Sequence, residues 1–383
     1  MPIEEKPIHR ASEQKTFAGL EQPNIAPVAD INKLMVQCFK QIEFRLSGMV
    51  AASVGIATGF HELDNLTGGL HESQLILLAG RSGVGKTALA LNIAGHVAIE
   101  TKIPTLYISL DLTGLEIITR MLSARGEVGI DKFSSDILSR EDCERLADAR
   151  AGMKRAPFFV DDTPNRTVAD IAACARRLQQ YYSLGLLIID DLQLIFPDDP
   201  QNHRQKQLAQ VVRDLRLLAC ELNIPVLCLV PLAKQKWSGK TNVHRELRYL
   251  RESGVTDRDA DIVLFMHREK GYRFIGDWRD RKFQELTQLI VAKQSDGPVQ
   301  EDFLLGWVNQ YHRFEKRPAV ILTDFTREDL SARKLFRIKY DDRRRLPWLL
   351  LVGGFLYASY PTHECAERVL CRLIRVLREF MGQ

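Results

Sequence analysis

Residues 80–87 read Gly80-Arg81-Ser82-Gly83-Val84-Gly85-Lys86-Thr87 and satisfy G-x-x-x-x-G-K-[ST] in full. Their surroundings decide what that pattern means. The stretch Gln74 to Ala79 before them is apolar enough for a buried strand, and Ala88-Leu89-Ala90-Leu91 after them opens a helix. A glycine-rich loop between strand and helix cradles phosphate, because backbone N–H groups close around the oxygens and the helix N-terminus adds partial positive charge. Gly80, Ser82, Gly83 and Gly85 are expected to line the phosphates, Lys86 to reach the β and γ oxygens, and the Thr87 hydroxyl to bind Mg²⁺. ATP and Mg²⁺ are the cofactors this predicts.

Outward from this loop, apolar runs at Thr105 to Leu110, Phe158 to Asp161, Leu186 to Asp190 and Val226 to Val230 alternate with helical segments starting near Thr113, Glu141, Val168 and Gln205. Continuous apolar strands separated by helices predict an α/β domain with a mostly parallel central sheet covered by helices on both faces. Ile262 to Met266, Leu286 to Ala292 and a stretch near Phe303 to Val308 would extend the sheet. Nucleotide chemistry on such a loop needs a carboxylate at the end of another strand to organise magnesium. Leu186-Leu187-Ile188-Ile189-Asp190-Asp191 supplies Asp190 for that role.

Composition fits a folded domain, since 45% hydrophobic and 27% charged residues lie far from the signature of disorder. Net charge is only +4, but residues 331–383 carry eleven Lys and Arg against five Asp and Glu, so the tail is the basic part. The seven cysteines are scattered and never form C-x-x-C, which argues against a disulfide framework or a zinc site. No secretory signal opens the chain and no apolar run approaches the roughly 20 residues that span a bilayer, so a cytoplasmic location is expected. The longest run, Leu346 to Ala358, reads as a buried strand or helix of the tail, with membrane-surface attachment as the alternative. Before the main domain, residues 1–28 form a polar leader. Residues 29–53 contain an amphipathic stripe of Ile31, Leu34, Met35, Cys38, Phe39, Ile42 and Leu46, followed by a hinge of small residues. The main domain runs over residues 54–316, and 317–383 are a basic extension.

Several further blocks carry a family resemblance. Gly55-Ile56-Ala57-Thr58-Gly59-Phe60-His61-Glu62-Leu63-Asp64, with Gly68-Gly69-Leu70, resembles the entry to RecA-like P-loop NTPases of the DnaB, RadA and KaiC groups. Asp190-Asp191-Leu192-Gln193-Leu194 is similar to D-Y-L-Q-L of DnaB-type replicative helicases, with Asp191 in place of Tyr. Arg251-Glu252-Ser253-Gly254, Lys293-Gln294-Ser295-Asp296-Gly297-Pro298 and Val308-Asn309-Gln310-Tyr311-His312-Arg313-Phe314 follow in that family's order. The resemblance implies a RecA-like motor that binds single-stranded DNA in a homo-oligomeric ring, a hexamer in this family. The helix within 29–53 would be the linker that docks on a neighbour, unless it packs on its own core. Primase coupling through an N-terminal domain is not expected from the few residues ahead of that linker.

The same resemblance assigns roles and exposes departures. Asp111, in Ser109-Leu110-Asp111-Leu112, stands where the family has the Glu that positions the attacking water; it serves as that base or is a retained but ineffective carboxylate, with Asp191 as an alternative assistant. Pro231 replaces the γ-phosphate-sensing Gln. Ser295 replaces the arginine finger, leaving Lys293 as a catalytic point charge. Lys236, Lys240, Arg245, Arg248 and Arg251, interleaved with Trp237 and Tyr249, occupy the position of the loop that faces DNA, where cations hold phosphates and an aromatic ring stacks on a base. An ordinary solvated charge run is the alternative. The departures leave two functions open: a DnaB-like helicase with weakened hydrolysis, or a nucleotide-gated DNA- or partner-binding protein of RadA or KaiC type.

Overall fold

The computed structural model describes residues 55–134, 138–197, 203–232, 243–268, 285–295 and 301–316. It also describes single residues at 35, 201, 297 and 299, and three strands between 336 and 360. Contacts divide the chain into Met1–Ala52 and Ser53–Gln383. Of the expected linker helix only Met35 is among the described residues, where it is helical and exposed.

A nine-stranded sheet organises the second unit, in the order β3-β2-β4-β5-β1-β6-β7-β8-β9. The strands are β1 (Leu75–Arg81), β2 (Thr105–Ser109), β3 (Phe158–Asp161), β4 (Leu186–Asp190), β5 (Val226–Leu232), β6 (Ile262–Arg268), β7 (Glu285–Lys293), β8 (Glu301–Val308) and β9 (Arg313–Lys316). β1 to β6 are parallel to one another. Beyond β6 the pairing becomes antiparallel, a departure from the purely parallel pattern. For β7, β8 and β9 short connections are the reason, since they follow one another through segments too brief for a crossover helix.

The apolar character of β1 on both sides follows from its position. Leu75, Leu77 and Ala79 pack into a core with α5 (Val168–Tyr182) and α6 (Arg204–Leu222), while Ile76 and Leu78 face α2 (Lys86–Gly95) and α3 (Gly114–Gly126) on the other side. Alternate residues of a strand point to opposite faces, so a strand covered twice must be apolar throughout. The other α-helices among the described residues include α1 (His61–Thr67), α4 (Arg140–Met153) and α7 (Val243–Glu252). Three helices start on reciprocal caps, Thr113 with Glu116, Ser139 with Asp142, and Thr167 with Asp170, each satisfying N–H groups that the first turn leaves open. α2 passes directly into a wider turn at His96–Glu100.

Further along, β10 (Phe336–Tyr340), β11 (Trp348–Val352) and β12 (Phe355–Tyr360) form an antiparallel sheet of their own. The run Leu346 to Ala358 thus contributes strands; the basic helix expected over 362–380 lies outside the described residues.

Leu77 is fully buried in the central strand. Leu77→Ala should lower folding stability by roughly 2–5 kcal/mol through lost transfer energy and the cavity left behind. A urea midpoint that moves at unchanged m-value would register this.

Candidate active site

Parallel pairing brings the strand ends to one edge. Gly80 pairs with Pro231 on one side and Met266 on the other, and Ser109 pairs with Asp190. The loop after β1, Asp111 after β2, Asp190 and Asp191 at β4, and Pro231 in β5 therefore share that edge. Ligands of open α/β sheets bind there.

The phosphate loop has the required shape. Gly85 has φ +102°, and a Cβ on it would meet the Phe314 ring at 2.8 Å. Gly83 has φ +78°, and a Cβ there would meet nothing within 4 Å, so the loop is packed behind Gly85 and open at Gly83. Arg268 supports it from behind, donating from Nη2 to the Val84 carbonyl at 2.9 Å while its guanidinium lies over the Trp307 ring. The Lys86 ammonium folds back on its own loop, donating to the carbonyls of Gly80 at 3.0 Å and Arg81 at 3.2 Å. Burial lowers its pKa, against the pull of Asp191 and Asp190.

Those carboxylates are held under tension. Asp190 is 5% exposed. Burial raises its pKa, opposed by hydrogen bonds from Thr87 and Tyr107 and by the charge of Lys86. Asp191 is pushed up to about 6, first by burial and then by the neighbouring Asp190. Asp111 is exposed and close enough to raise both. The peptide joining Asp190 and Asp191 is cis.

The hard oxygens of Thr87 and Asp190 suit Mg²⁺, which is usually held by one or two protein groups together with substrate phosphates. Among the described residues no cluster of three or more His, Cys, Asp or Glu side chains could hold a metal by itself. This donor set fits a metal that arrives with nucleotide.

The model of the DnaB-like helicase C-terminal domain matches residues 55–316, which cover every element of this edge. The chain belongs to that family. It is 36% identical over 304 residues to the replicative DNA helicase DnaB of Geobacillus stearothermophilus, spanning 79% of this chain and 65% of that protein. The replicative DNA helicase DnaC of Bacillus subtilis is 34% identical over 303 residues, again 65% of its length. Among solved structures, one ATPase domain superposes with a TM-score of 0.67 at 27% identity, covering 76% of this chain and 99% of that one. A DnaB-like replicative helicase described together with its interactions with primase gives a TM-score of 0.64 at 27% identity, covering 75% and 67%. Family and RecA-like fold thus agree.

Other expected site residues lie elsewhere on this DnaB-like domain. Lys293 ends β7 opposite Val263, at the start of β6 and so at the sheet edge away from the loop. Its ammonium donates to the carbonyls of Asp257 (2.6 Å), Ala260 (2.6 Å) and Arg258 (3.3 Å). Val263 is level with Leu77, three residues before Gly80, so at about 3.3 Å per residue roughly 10 Å of strand separates Lys293 from its own phosphate loop, and its ammonium is turned to the loop before β6. Arg251, expected on a DNA-facing loop, is the last-turn cation of α7 and holds Asp257 with both prongs, at 2.6 and 2.8 Å. That loop is thus partly helix. Arg248 is exposed on α7 and pairs with Glu252 one turn on. Lys236 and Lys240 lie outside the described residues, as does the Arg245 side chain.

Sequence reasoning passed over Tyr107, Arg268 and the amide of Gln193, which donates to the Pro231 carbonyl at 3.1 Å. An arginine closing a strand beside the phosphate loop was a usable signal for Arg268; nothing local marks the other two.

With Asp191 near 6 when folded and about 3.9 when unfolded, the folded protein binds the extra proton between those values. Stability therefore falls as pH rises through that window. In EDTA, Asp191→Asn should melt higher than wild type at pH 8, and the gap should close below about pH 4. Thermal scans at both pH values check this; a gap independent of pH would remove the titration from the explanation.

Proposed function

We propose that this chain is an ATP-dependent translocase and helicase of DNA replication, acting on single-stranded DNA as a ring of copies. One observation carries the reading: Lys86, Thr87, Asp190, Asp191 and Asp111 converge on the edge that a phosphate loop opens. Gly80, Ser82, Gly83 and Gly85 take the phosphates, and Lys86 leaves its two carbonyls to neutralise charge between them. Thr87 and Asp190 hold Mg²⁺, which supplies Lewis-acid neutralisation when bound. Asp111 positions the water.

Lys293 cannot serve its own site from the far edge, so any cation from that corner acts on a neighbouring copy. This calls for a head-to-tail contact that closes into a ring, with the helix in 29–53 as the strap. Lys236, Lys240, Arg245 and Arg248 are the DNA contacts, Arg251 being committed to Asp257.

A second reading, a nucleotide-gated binding protein with little turnover, is favoured by Pro231 in β5 and by a Lys293 whose three donors are all engaged. Steady-state ATPase with and without single-stranded DNA separates the two. DNA-stimulated turnover that disappears in Lys86→Ala supports the motor. Tight nucleotide binding with negligible turnover supports the gate, and unchanged nucleotide affinity in Lys86→Ala contradicts both.

Replacing Lys236, Lys240, Arg245 and Arg248 by Ala should weaken single-strand binding and flatten its salt dependence by about 0.7 in logarithmic slope for each phosphate no longer neutralised. Fluorescence anisotropy across a salt series reads both. Unmoved affinity and slope would make these residues a solvated surface.

A further inference from the structure

Asp190 ends β4 and is buried, yet in the proposed site it must offer oxygen to a metal. Its orientation there is set by few groups. The Tyr107 hydroxyl, from β2, donates to Asp190 Oδ2 at 2.8 Å, across 83 residues of sequence. The Thr87 hydroxyl is the second donor near it. These two donors differ in one respect. Thr87 lies in the loop helix and is itself a proposed metal ligand, so its placement answers to the metal as well as to Asp190. Tyr107 has no such second task. Its ring is fully buried, packed with Phe158 at a centroid distance of 6.3 Å and enclosed by the core of the α2 face.

We propose that Tyr107 is a positioning residue for the metal site, fixing the Asp190 carboxylate through Oδ2 so that Oδ1 remains for Mg²⁺. A carboxylate on a strand end can rotate about two bonds, and a hydrogen bond to one oxygen from a ring that cannot move fixes that rotation. Partners of this kind orient ligands and typically contribute 10–100-fold in metal affinity. The bland role of the same bond is to satisfy a buried tyrosine hydroxyl. That role predicts a change in folding stability and none in metal affinity.

This inference rests on the Mg–ATP reading of the site. The test is binding of a fluorescent ATP analogue by the full chain, titrated with Mg²⁺, for wild type, Tyr107→Phe and Phe158→Ala. Tyr107→Phe keeps the ring and removes only the hydroxyl. Its half-saturating Mg²⁺ concentration should rise about 10-fold or more, while analogue affinity in EDTA stays as in wild type and turnover recovers at high Mg²⁺. Phe158→Ala disturbs packing around the same ring without touching the bond, so it should lower the melting temperature and leave the Mg²⁺ midpoint in place. A Tyr107→Phe midpoint equal to wild type, or a Phe158→Ala midpoint shifted as far, would overturn the positioning role. Wild-type protein that binds no nucleotide would instead overturn the reading beneath it.

Discussion

A parallel ladder sends the C-terminal end of every strand to the same edge, and the chemistry of this domain depends on that constraint. Gly80, Ser109, Asp190 and Pro231 come from four strands spread over about 150 residues, yet pairing sets them side by side. No side-chain contact is needed to bring them together. Side chains then refine the arrangement: Arg268 and Phe314 press on the phosphate loop from behind, and the Lys86 ammonium folds back on the loop's own carbonyls.

What gathers there is an excess of negative charge. Three carboxylates face one ammonium, in a region where burial already disfavours ionisation. Such a cluster is electrostatically unfavourable, and under the proposed function a cation arriving with nucleotide would relieve it. Asp191 sharpens the point, because the DnaB-type pattern carries tyrosine there and this chain adds a charge. The raised pKa of Asp191 follows first from its burial and then from the neighbouring Asp190.

The opposite edge is built for stiffness. Arg251 grips Asp257, Lys293 gathers three carbonyls of the same short loop, and Asp261 bonds the Leu75 amide at 2.8 Å and pairs with Arg216. Two cations expected at functional positions are each engaged by partners within the chain. Their donors are engaged by close partners, and a cation so engaged gives little to a phosphate unless those bonds are broken.

Much of this was legible in the residues alone. The loop at 80–87, the carboxylate at Asp190, the strand-helix alternation and the family blocks are local patterns, and local backbone preferences and burial periodicity write them directly into sequence. Tertiary structure decided the rest. Whether Lys293 could reach its own site depended on strand direction, since antiparallel pairing with β6 carries it to the far edge. Whether Arg251 was available depended on α7 ending beside Asp257. The bond from Tyr107 to Asp190, and that from Gln193 to Pro231, join residues far apart in the chain, and a hydrogen bond needs an approach of about 3 Å in the right direction. Sequence spacing carries no information at that scale; only the packed fold supplies it.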